Sequence, residues 1–317
     1  MRKILITGGT GLVGKALNNI STNYNYTFTF LSSKDCDLTN FNQTKQLFHK
    51  IQPDFVIHLA ANVGGLYKNM NYKTQILEDN LLINYNVIKC CHDFKIKKCI
   101  SILSTCIYPD KINYPIKEED LHNGPPHNSN DAYAYSKRIL EIHCKNYNEQ
   151  YNDNFICLIP TNIYGENDNF HLEKSHVIPG LIHKCYLSFI NNTDFIIKGT
   201  GKPLRQFIYS KDLAILIMWF IENYNSKENI ILAPPENKEI SIKNLSEIIL
   251  HYFYKNINSN KNINIKFDTT FSDGQYKKTV SNNKFNNFYP DFKFTDINLG
   301  IDNTIKWFLN NYPNIRQ

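Results

Sequence analysis

The N-terminal segment places a glycine-rich turn directly between a short apolar strand and a helix. Residues 3–7 read KILIT, a β-branched apolar run, and residues 8–14 read GGTGLVG ahead of a helical stretch. Gly8 and Gly11 let the backbone turn tightly and approach a pyrophosphate, and Gly14 lets the helix lie close to the strand. The helix N-terminus also favours the negative charge of a phosphate. The segment therefore predicts a dinucleotide site in the first βαβ unit.

The second predicted strand ends in a sequence that favours NADP(H) over NAD(H). Residues 27–31 read TFTFL and are followed by the tripeptide SSK ending at Lys34, where NAD-binding proteins carry an acid for the ribose 2′-hydroxyl. Lys34 is placed to meet a 2′-phosphate, while Asp37 and Leu38 can lie against the adenine. The alternative is that Lys34 is an ordinary solvated loop lysine.

Strands and amphipathic helices alternate through the first half of the chain. Residues 54–61 (DFVIHLAA) read as a buried strand that ends in small residues, among them Ala60, where bulk would obstruct a cofactor. Residues 99–103 (CISIL) read as the next strand, and residues around 80–94 have helical periodicity. This alternation predicts an α/β fold with a Rossmann-type, doubly wound parallel sheet, and 317 residues are enough to bury its core.

Composition argues against several other kinds of protein. The net charge is +6 with basic and acidic residues interleaved, which disfavours nucleic-acid binding and fits a small anionic ligand. The eight cysteines show no CxxC spacing, so we expect reduced thiols and no metal site. The longest apolar run, residues 213–221, is far shorter than the roughly 20 residues of a membrane-spanning helix. No secretory signal is evident, and we expect a cytoplasmic protein.

A candidate proton-transfer group lies at the end of the fourth predicted strand and on the helix that follows. Ser104 and Cys106 come directly after that strand, at the edge where open α/β sheets bind ligands. Tyr133 and Lys137 are four residues apart and share one helix face, so the positive charges of Lys137 and a nicotinamide would lower the pKa of the tyrosine and make it a general acid. A Tyr-xxx-Lys pair alone is more often two surface residues. Tyr135 points to another face and is rejected as the acid.

These features, in this order, resemble those of the extended short-chain dehydrogenase/reductase family over nearly the whole chain. Further tracts narrow the resemblance to the branch of that family that makes GDP-L-fucose: residues 104–109 (STCIYP), 125–130 (PPHNSN), 160–165 (PTNIYG), 168–170 (DNF), 175–179 (SHVIP), 199–203 (GTGKP) and 272–279 (SDGQYKKT). A sister enzyme that acts on another nucleotide-sugar is the alternative.

The resemblance implies a two-domain architecture and a set of ligands. The NADP-binding Rossmann domain would comprise residues 1–165 with a returning segment at about 205–232, and a smaller C-terminal α/β substrate domain would comprise residues 166–204 and 233–317. The cofactor would be NADP(H) and the substrate GDP-4-keto-6-deoxy-D-mannose. The family's dimers pair the helix that carries the tyrosine and the helix before it, so a homodimer is expected.

The resemblance also assigns chemical roles. The substrate would be inverted at C3 and C5 and then reduced at its C4 ketone. Tyr133 and Ser104 would hold the ketone oxygen, Lys137 the ribose, and Cys106 and His176 would exchange the protons of the two inversions. A single cysteine or histidine in a sequence is more often structural than catalytic. Cys106 and His176 become catalytic candidates only because the residues around each of them match the family.

Contacts to both ligands follow from the same comparison. The expected cofactor residues are Gly8, Gly9, Thr10, Gly11, Leu12, Val13, Gly14, Lys34, Asp37, Leu38, Ala60, Lys137, Pro160, Thr161, Asn162, Ile163 and His176. The expected substrate residues are Asn162, Lys184, Lys198, Arg205, Asp273 and Lys278. At one of them the chain departs from the family, which usually carries a tryptophan where this chain has Lys198. A lysine cannot reproduce that flat surface, so donor choice or affinity would differ unless Lys198 simply faces solvent.

Two competing functions remain open. A catalytically inactive NADP-binding sensor of the same fold predicts loss of the acid and base residues, which are all present here. An epimerase that retains NAD and returns the hydride would show no net consumption of NADPH.

Overall fold

The computed structural model describes residues 1–257 and 261–317. The strands in these ranges are β1 (Arg2–Thr7), β2 (Tyr26–Phe30), β3 (Phe55–His58), β4 (Lys98–Ile102), β5 (Phe155–Pro160), β6 (Asn162–Tyr164), β7 (Phe195–Lys198), β8 (Leu204–Arg205), β9 (Phe207–Tyr209), β10 (Ile230–Leu232), β11 (Ile240–Ser241) and β12 (Ile265–Asp268).

The helices are α1 (Leu12–Ile20), α2 (Phe41–Ile51), α3 (Leu66–Asn71), α4 (Lys73–Asp93), α5 (Asp131–Tyr151), α6 (Val177–Asn191), α7 (Ser210–Asn223), α8 (Ile242–Asn256), α9 (Asn283–Phe288) and α10 (Ile297–Asn311). Within the described ranges, none of them combines the length and apolar character that crossing a bilayer would require.

Six parallel strands form the central sheet, in the order β10-β5-β4-β3-β1-β2. The strands β3, β4 and β5 are buried along their whole length because helices cover both faces, which explains why most of their residues are apolar. Strand order reverses between β1 and β3, and such a switch point opens a crevice at the carboxyl ends of the strands. The predicted doubly wound α/β fold is confirmed.

Alternate residues of each strand enter two separate cores. Val56 and Cys99 pack on the face covered by α2, α4 and α5, whereas Ile57 and Ile100 pack on the face covered by α1 and α7. This division follows from the period of two in a strand, which sends successive side chains to opposite faces. The result is a three-layer arrangement that holds the strand ends rigidly in place.

A third core lies away from the sheet. It contains side chains of α6, α8 and α10 together with β7, among them Leu181, Phe195, Phe253 and Phe308. The strands here pair only in twos, β7 with β12 in parallel and β8 with β11 antiparallel. This smaller α/β unit supplies the second wall of the cleft described below.

Lys98 is a buried lysine at the start of β4, and its side chain caps the C-terminal end of α7. Its Nζ donates to the carbonyl oxygens of Phe220, Ile221 and Tyr224 at 2.8–3.0 Å, at the C-terminal end of α7. The last carbonyls of a helix lack partners within the helix, so one ammonium here satisfies three acceptors and meets the negative end of the helix dipole. Lys98 therefore fastens α7 to β4.

We expect Lys98→Met to lower the free energy of unfolding by about 2–4 kcal/mol, because it leaves buried carbonyls without donors. Urea denaturation followed by circular dichroism measures the change. Lys97→Met is the matched control, since Lys97 forms an exposed ion pair with Asp54 at 2.6 Å that contributes about 0–1 kcal/mol. Equal free energies of unfolding for the two variants would show that Lys98 does not stabilise the end of α7.

Candidate active site

One large cavity lies at the carboxyl ends of β1, β3, β4 and β5, between the sheet and the smaller α/β unit. Its volume is about 1210 Å³. Pockets for single small molecules are commonly about 300–1,000 Å³, so this cavity has room for a dinucleotide and a second ligand beside it. It lies next to the switch point of the sheet, where ligands bind in open α/β folds.

The glycine turn after β1 forms a cradle that side chains would fill. Gly8 has φ +68°, and a Cβ atom there would lie 2.8 Å from the backbone nitrogen of Ala60. A Cβ on Gly14 would lie 2.5 Å from the backbone of Gly9, so α1 approaches the turn as closely as it does only because Gly14 has no side chain. Gly11 caps α1 without a side chain to bond its first N–H groups. These N–H groups and the bare backbone fit a pyrophosphate.

Most of the expected cofactor residues line this cavity. They are Gly8, Thr10, Gly11, Leu12, Val13, Gly14, Asp37, Leu38, Ala60, Lys137, Pro160, Thr161, Asn162, Ile163 and His176. Among the described residues, Gly9 and Lys34 lie outside its lining. A Cβ on Gly9 would lie 2.7 Å from that of Phe30, so this glycine allows the turn to pack against β2. Lys34 is exposed beyond Ser32, and its contact to a 2′-phosphate stays a prediction.

Helix α5 brings Tyr133 and Lys137 to the cavity wall. Lys137 Nζ donates to the carbonyl oxygen of Ile102 at 2.9 Å and lies 5.8 Å from the centre of the Tyr133 ring. Both side chains are buried, whereas Tyr135 is 43% exposed on another face of the helix. The carbonyl at the end of β4 therefore fixes the ammonium beside the phenol.

Burial controls the acidity of this pair. It raises the pKa of Tyr133 well above its ordinary value, and the neighbouring Cys106 adds to the rise. The sequence predicted that Lys137 would lower the pKa of Tyr133. This prediction is wrong for the protein alone, where desolvation raises that pKa. Burial also lowers the pKa of Lys137 to about 8. The phenol stays protonated at neutral pH, as a proton donor requires.

Ser104 and Cys106 lie on a short 3₁₀ turn directly after β4. The Oγ of Ser104 accepts a hydrogen bond from the backbone N–H of Cys106 at 3.4 Å, and both residues line the cavity. Cys106 is partly exposed, while the other seven cysteines are buried. A thiol open to the cavity can exchange protons with a ligand, which the buried thiols cannot do.

His176 reaches the same cavity from the smaller unit, at the residue before α6. Desolvation by the walls of the cleft lowers the pKa of His176, and the positive charge of Arg316 lowers it further. The ring is therefore neutral at neutral pH and able to accept a proton.

The expected substrate residues all line the cavity, and the side chains of Arg205 and Asp273 are held there by hydrogen bonds to the protein. Arg205 donates through Nη1 to the carbonyl oxygen of Leu204 at 2.7 Å and through Nη2 to that of Gln275 at 2.6 Å. Asp273 accepts from the backbone N–H and the hydroxyl of Thr200 at 2.7 and 2.6 Å. Both residues fix the loops that form the wall of the cavity.

Lys184 and Lys198 form the basic part of this wall. Burial lowers the pKa of Lys184, and the charge of Lys198 lowers it further. Lys198 Nζ lies 4.3 Å from the centre of the Phe271 ring. At the position where the family usually has tryptophan, this chain therefore combines a cation with a neighbouring aromatic ring.

A buried series of hydrogen bonds through His58 lies next to the site, and the sequence did not predict it. His58 Nδ1 bonds Thr7 Oγ1 at 2.8 Å, and His58 Nε2 bonds Asn84 Oδ1 at 3.0 Å. Burial lowers the pKa of His58 to about 3, which keeps the ring neutral. These hydrogen bonds link β1, β3 and α4 beneath the cofactor cradle. His58 stands inside an apolar run, and its sequence gives no signal for these partners.

Asp168 and Arg316 also line the cavity and carried no predicted role. Asp168 is buried with one carboxylate oxygen lacking a hydrogen-bond partner, and burial raises its pKa to about 7. The backbone carbonyl of Arg316 accepts from the N–H of Phe170 at 2.8 Å, which brings the end of the chain to the site.

Known proteins match this chain along its length. Residues 4–233 match the NAD dependent epimerase/dehydratase family. A GDP-L-fucose synthase of Dictyostelium discoideum is 48% identical over 100% of this chain and 98% of its own length, and a probable GDP-L-fucose synthase of Drosophila melanogaster is 45% identical over 100% of both. The crystal structure of a GDP-L-fucose synthetase from Naegleria fowleri bound to NADP is 49% identical, covers 100% of this chain and 95% of that one, and has a TM-score of 0.93. The resemblance indicated by the motifs is confirmed, and this chain belongs to the NAD dependent epimerase/dehydratase family.

Proposed function

We propose that this protein converts GDP-4-keto-6-deoxy-D-mannose to GDP-L-fucose with NADP(H) as its cofactor. The proposal rests on the set of residues that line one cavity. A glycine cradle that fits a pyrophosphate lies beside a phenol and lysine pair, a partly exposed thiol and a neutral imidazole. Full-length similarity to relatives named for this activity supports the same conclusion.

The chemistry of the substrate explains why one set of donors serves several steps. The hydrogens on C3 and C5 are both adjacent to the C4 ketone, so negative charge collects on the same oxygen when either is removed. Tyr133 and Ser104 would donate to that oxygen and lower both barriers. Cys106 and His176 would remove and return the protons on the two faces of the ring.

The final step is reduction of the inverted ketone. NADPH supplies the hydride for this step when it is bound. The residues 8–14 would hold its pyrophosphate, and Lys137 would bind the ribose. Tyr133 then gives its proton to O4, which its high pKa allows because the alkoxide formed there is a far stronger base.

The basic wall fits the diphosphate of the sugar nucleotide. Lys184 and Lys198 repel each other in a partly desolvated wall, and a diphosphate between them would relieve that repulsion. Arg205, Asp273 and Lys278 would complete the wall, and Asn162 would contact both ligands.

The direct test supplies GDP-4-keto-6-deoxy-D-mannose and NADPH and follows both cofactor absorbance and product identity. We expect one NADPH oxidised for each GDP-L-fucose formed. An epimerase that recycles its cofactor would release an isomer of the keto sugar without net oxidation of NADPH, and an inactive sensor would give no reaction. Either result would contradict the proposed function.

We also propose a homodimer formed through α4 and α5. These two helices pack on each other, and their outer faces expose Leu82, Tyr85, Ile139 and Ile142 at helical spacing. A contiguous apolar surface of this kind marks an association site, and a two-fold axis would pair it with itself.

Light scattering is expected to give twice the chain mass of 37.0 kDa for the wild type. We expect Ile139→Glu to shift the protein to monomer, because a buried carboxylate at the centre of the interface is costly. Ile190→Glu is the control, since Ile190 is 56% exposed on α6, away from this face. A wild-type mass of one chain at micromolar concentration would remove the proposal.

Two further assignments belong to this proposal. The domain division, with residues 1–165 and about 205–232 in the cofactor domain and residues 166–204 and 233–317 in the substrate domain, is supported by the third core and by β10 in the sheet. A cytoplasmic location is supported by the eight unpaired cysteines, which an oxidising compartment would disfavour.

A further inference from the structure

Arg138 is a buried cation that none of the steps above uses. It follows Lys137 on α5, is 7% exposed, and its Nε donates to the carbonyl oxygen of Ile107 at 2.6 Å. Its Nη2 is buried without a hydrogen-bond partner. A buried charge with an unpaired N–H group destabilises a fold, so packing alone does not explain why an arginine stands here.

The contacts of Arg138 lead to Cys106. Ile107 is the next residue after Cys106 in the 3₁₀ turn Thr105–Ile107, so the arginine bonds the carbonyl group one residue beyond the thiol. Ser104 Oγ bonds the backbone N–H of Cys106 from the other side at 3.4 Å. The turn that carries the thiol is therefore bonded at its start by Ser104 and at its end by Arg138 of α5.

The charge of Arg138 also acts on the thiol. Burial lowers the pKa of Arg138, and the thiolate form of Cys106 acts in the opposite direction. The other titratable groups that interact with this thiol are Tyr133 and Lys137, both on α5, and Lys278 from the C-terminal segment. Three cations thus interact electrostatically with one thiol, and of these three Arg138 is the one that bonds the turn itself.

We propose that Arg138 is a positioning residue for the two inversions, which holds the turn of Cys106 against α5 and keeps a cation close to its thiol. This inference rests on the role of Cys106 in the proposed function. When the thiolate Sγ takes the proton from the sugar carbon, the C–H electron pair moves onto the ketone oxygen. A cation that favours the thiolate before this step and a fixed turn that aims it both assist the transfer.

Alkylation of Cys106 by iodoacetamide reports the thiolate without requiring turnover. The other seven cysteines are buried, so the rate of the first alkylation belongs to Cys106. We expect Arg138→Met to slow this alkylation at neutral pH by about tenfold, since it removes a nearby cation. Arg138→Lys keeps the charge and should recover much of the rate. Lys145→Met, at an exposed site on the same helix, is the control and should leave the rate unchanged.

The product of turnover gives a second readout. With GDP-4-keto-6-deoxy-D-mannose and NADPH, Arg138→Met should release a larger share of 4-reduced sugar that retains the D configuration, because inversion slows while reduction does not. A folded Arg138→Met protein with the wild-type alkylation rate and wild-type product would overturn the proposal. If Arg138→Met does not fold, Arg138→Gln, which also removes the cation, decides: wild-type alkylation and wild-type product would overturn the proposal, and slower alkylation with an increased share of uninverted product would support it. If Cys106 itself takes no part in the inversions, Cys106→Ser will invert C3 and C5 normally. That result is distinct from every outcome of the Arg138 variants.

Discussion

Replacing Tyr133 by phenylalanine is expected to lower the rate of C4 reduction by about 10²- to 10⁴-fold, the range that a positioned general acid contributes. The phenol is buried beside Lys137, which is itself held by the carbonyl of Ile102. Phenylalanine keeps the shape of the ring and removes the proton donor, so NADPH binding should change little.

Single-turnover oxidation of NADPH with the keto sugar measures this loss. Tyr135→Phe is the matched control, because Tyr135 lies two residues away on the same helix with 43% of its surface exposed, and its variant should reduce at the wild-type rate. A Tyr133→Phe protein that retains normal reduction would show that another group protonates the ketone oxygen.

Replacing Cys106 by serine is expected to block inversion at C3 and C5, with a loss of about 10²-fold or more, because a serine hydroxyl is far less acidic than a thiol. The substitution is nearly isosteric in a turn whose other bonds are made by Ser104 and the backbone. Cofactor binding should persist, since the cradle at residues 8–14 is on another strand.

Analysis of the product sugar by NMR measures this prediction, and fluorescence titration with NADPH serves as the control for folding. The variant should either stop or release a reduced sugar whose C3 and C5 centres are not inverted. Undiminished formation of GDP-L-fucose would remove Cys106 from the mechanism.

The sheet and the cofactor cradle could be predicted from the sequence because both depend on local patterns. Apolar runs such as residues 99–103 become buried strands wherever helices cover both faces, and β4 indeed spans Lys98–Ile102. The glycines at 8 and 14 occupy positions where a Cβ would collide with backbone. The spacing of Tyr133 and Lys137 fixes them on one helix face whatever the rest of the chain does.

Other features depend on contacts between distant residues, and local patterns do not contain them. His58 reads as part of an apolar strand, and its bonds to Thr7 and Asn84 arise only when β1 and α4 come together. Arg205 reads as a phosphate ligand, yet its donors meet carbonyl groups of its own protein. The pKa of Tyr133 follows its burial more than the charge beside it, and burial is a property of the folded chain.

In the proposed mechanism, residues of one cavity remove and return the protons at C3 and C5 before the C4 ketone is reduced. Turnover in D₂O with NADPH and GDP-4-keto-6-deoxy-D-mannose, followed by NMR of the sugar, tests it most directly. We expect GDP-L-fucose with deuterium at both C3 and C5. A reduced product with hydrogen retained at both carbons would contradict it.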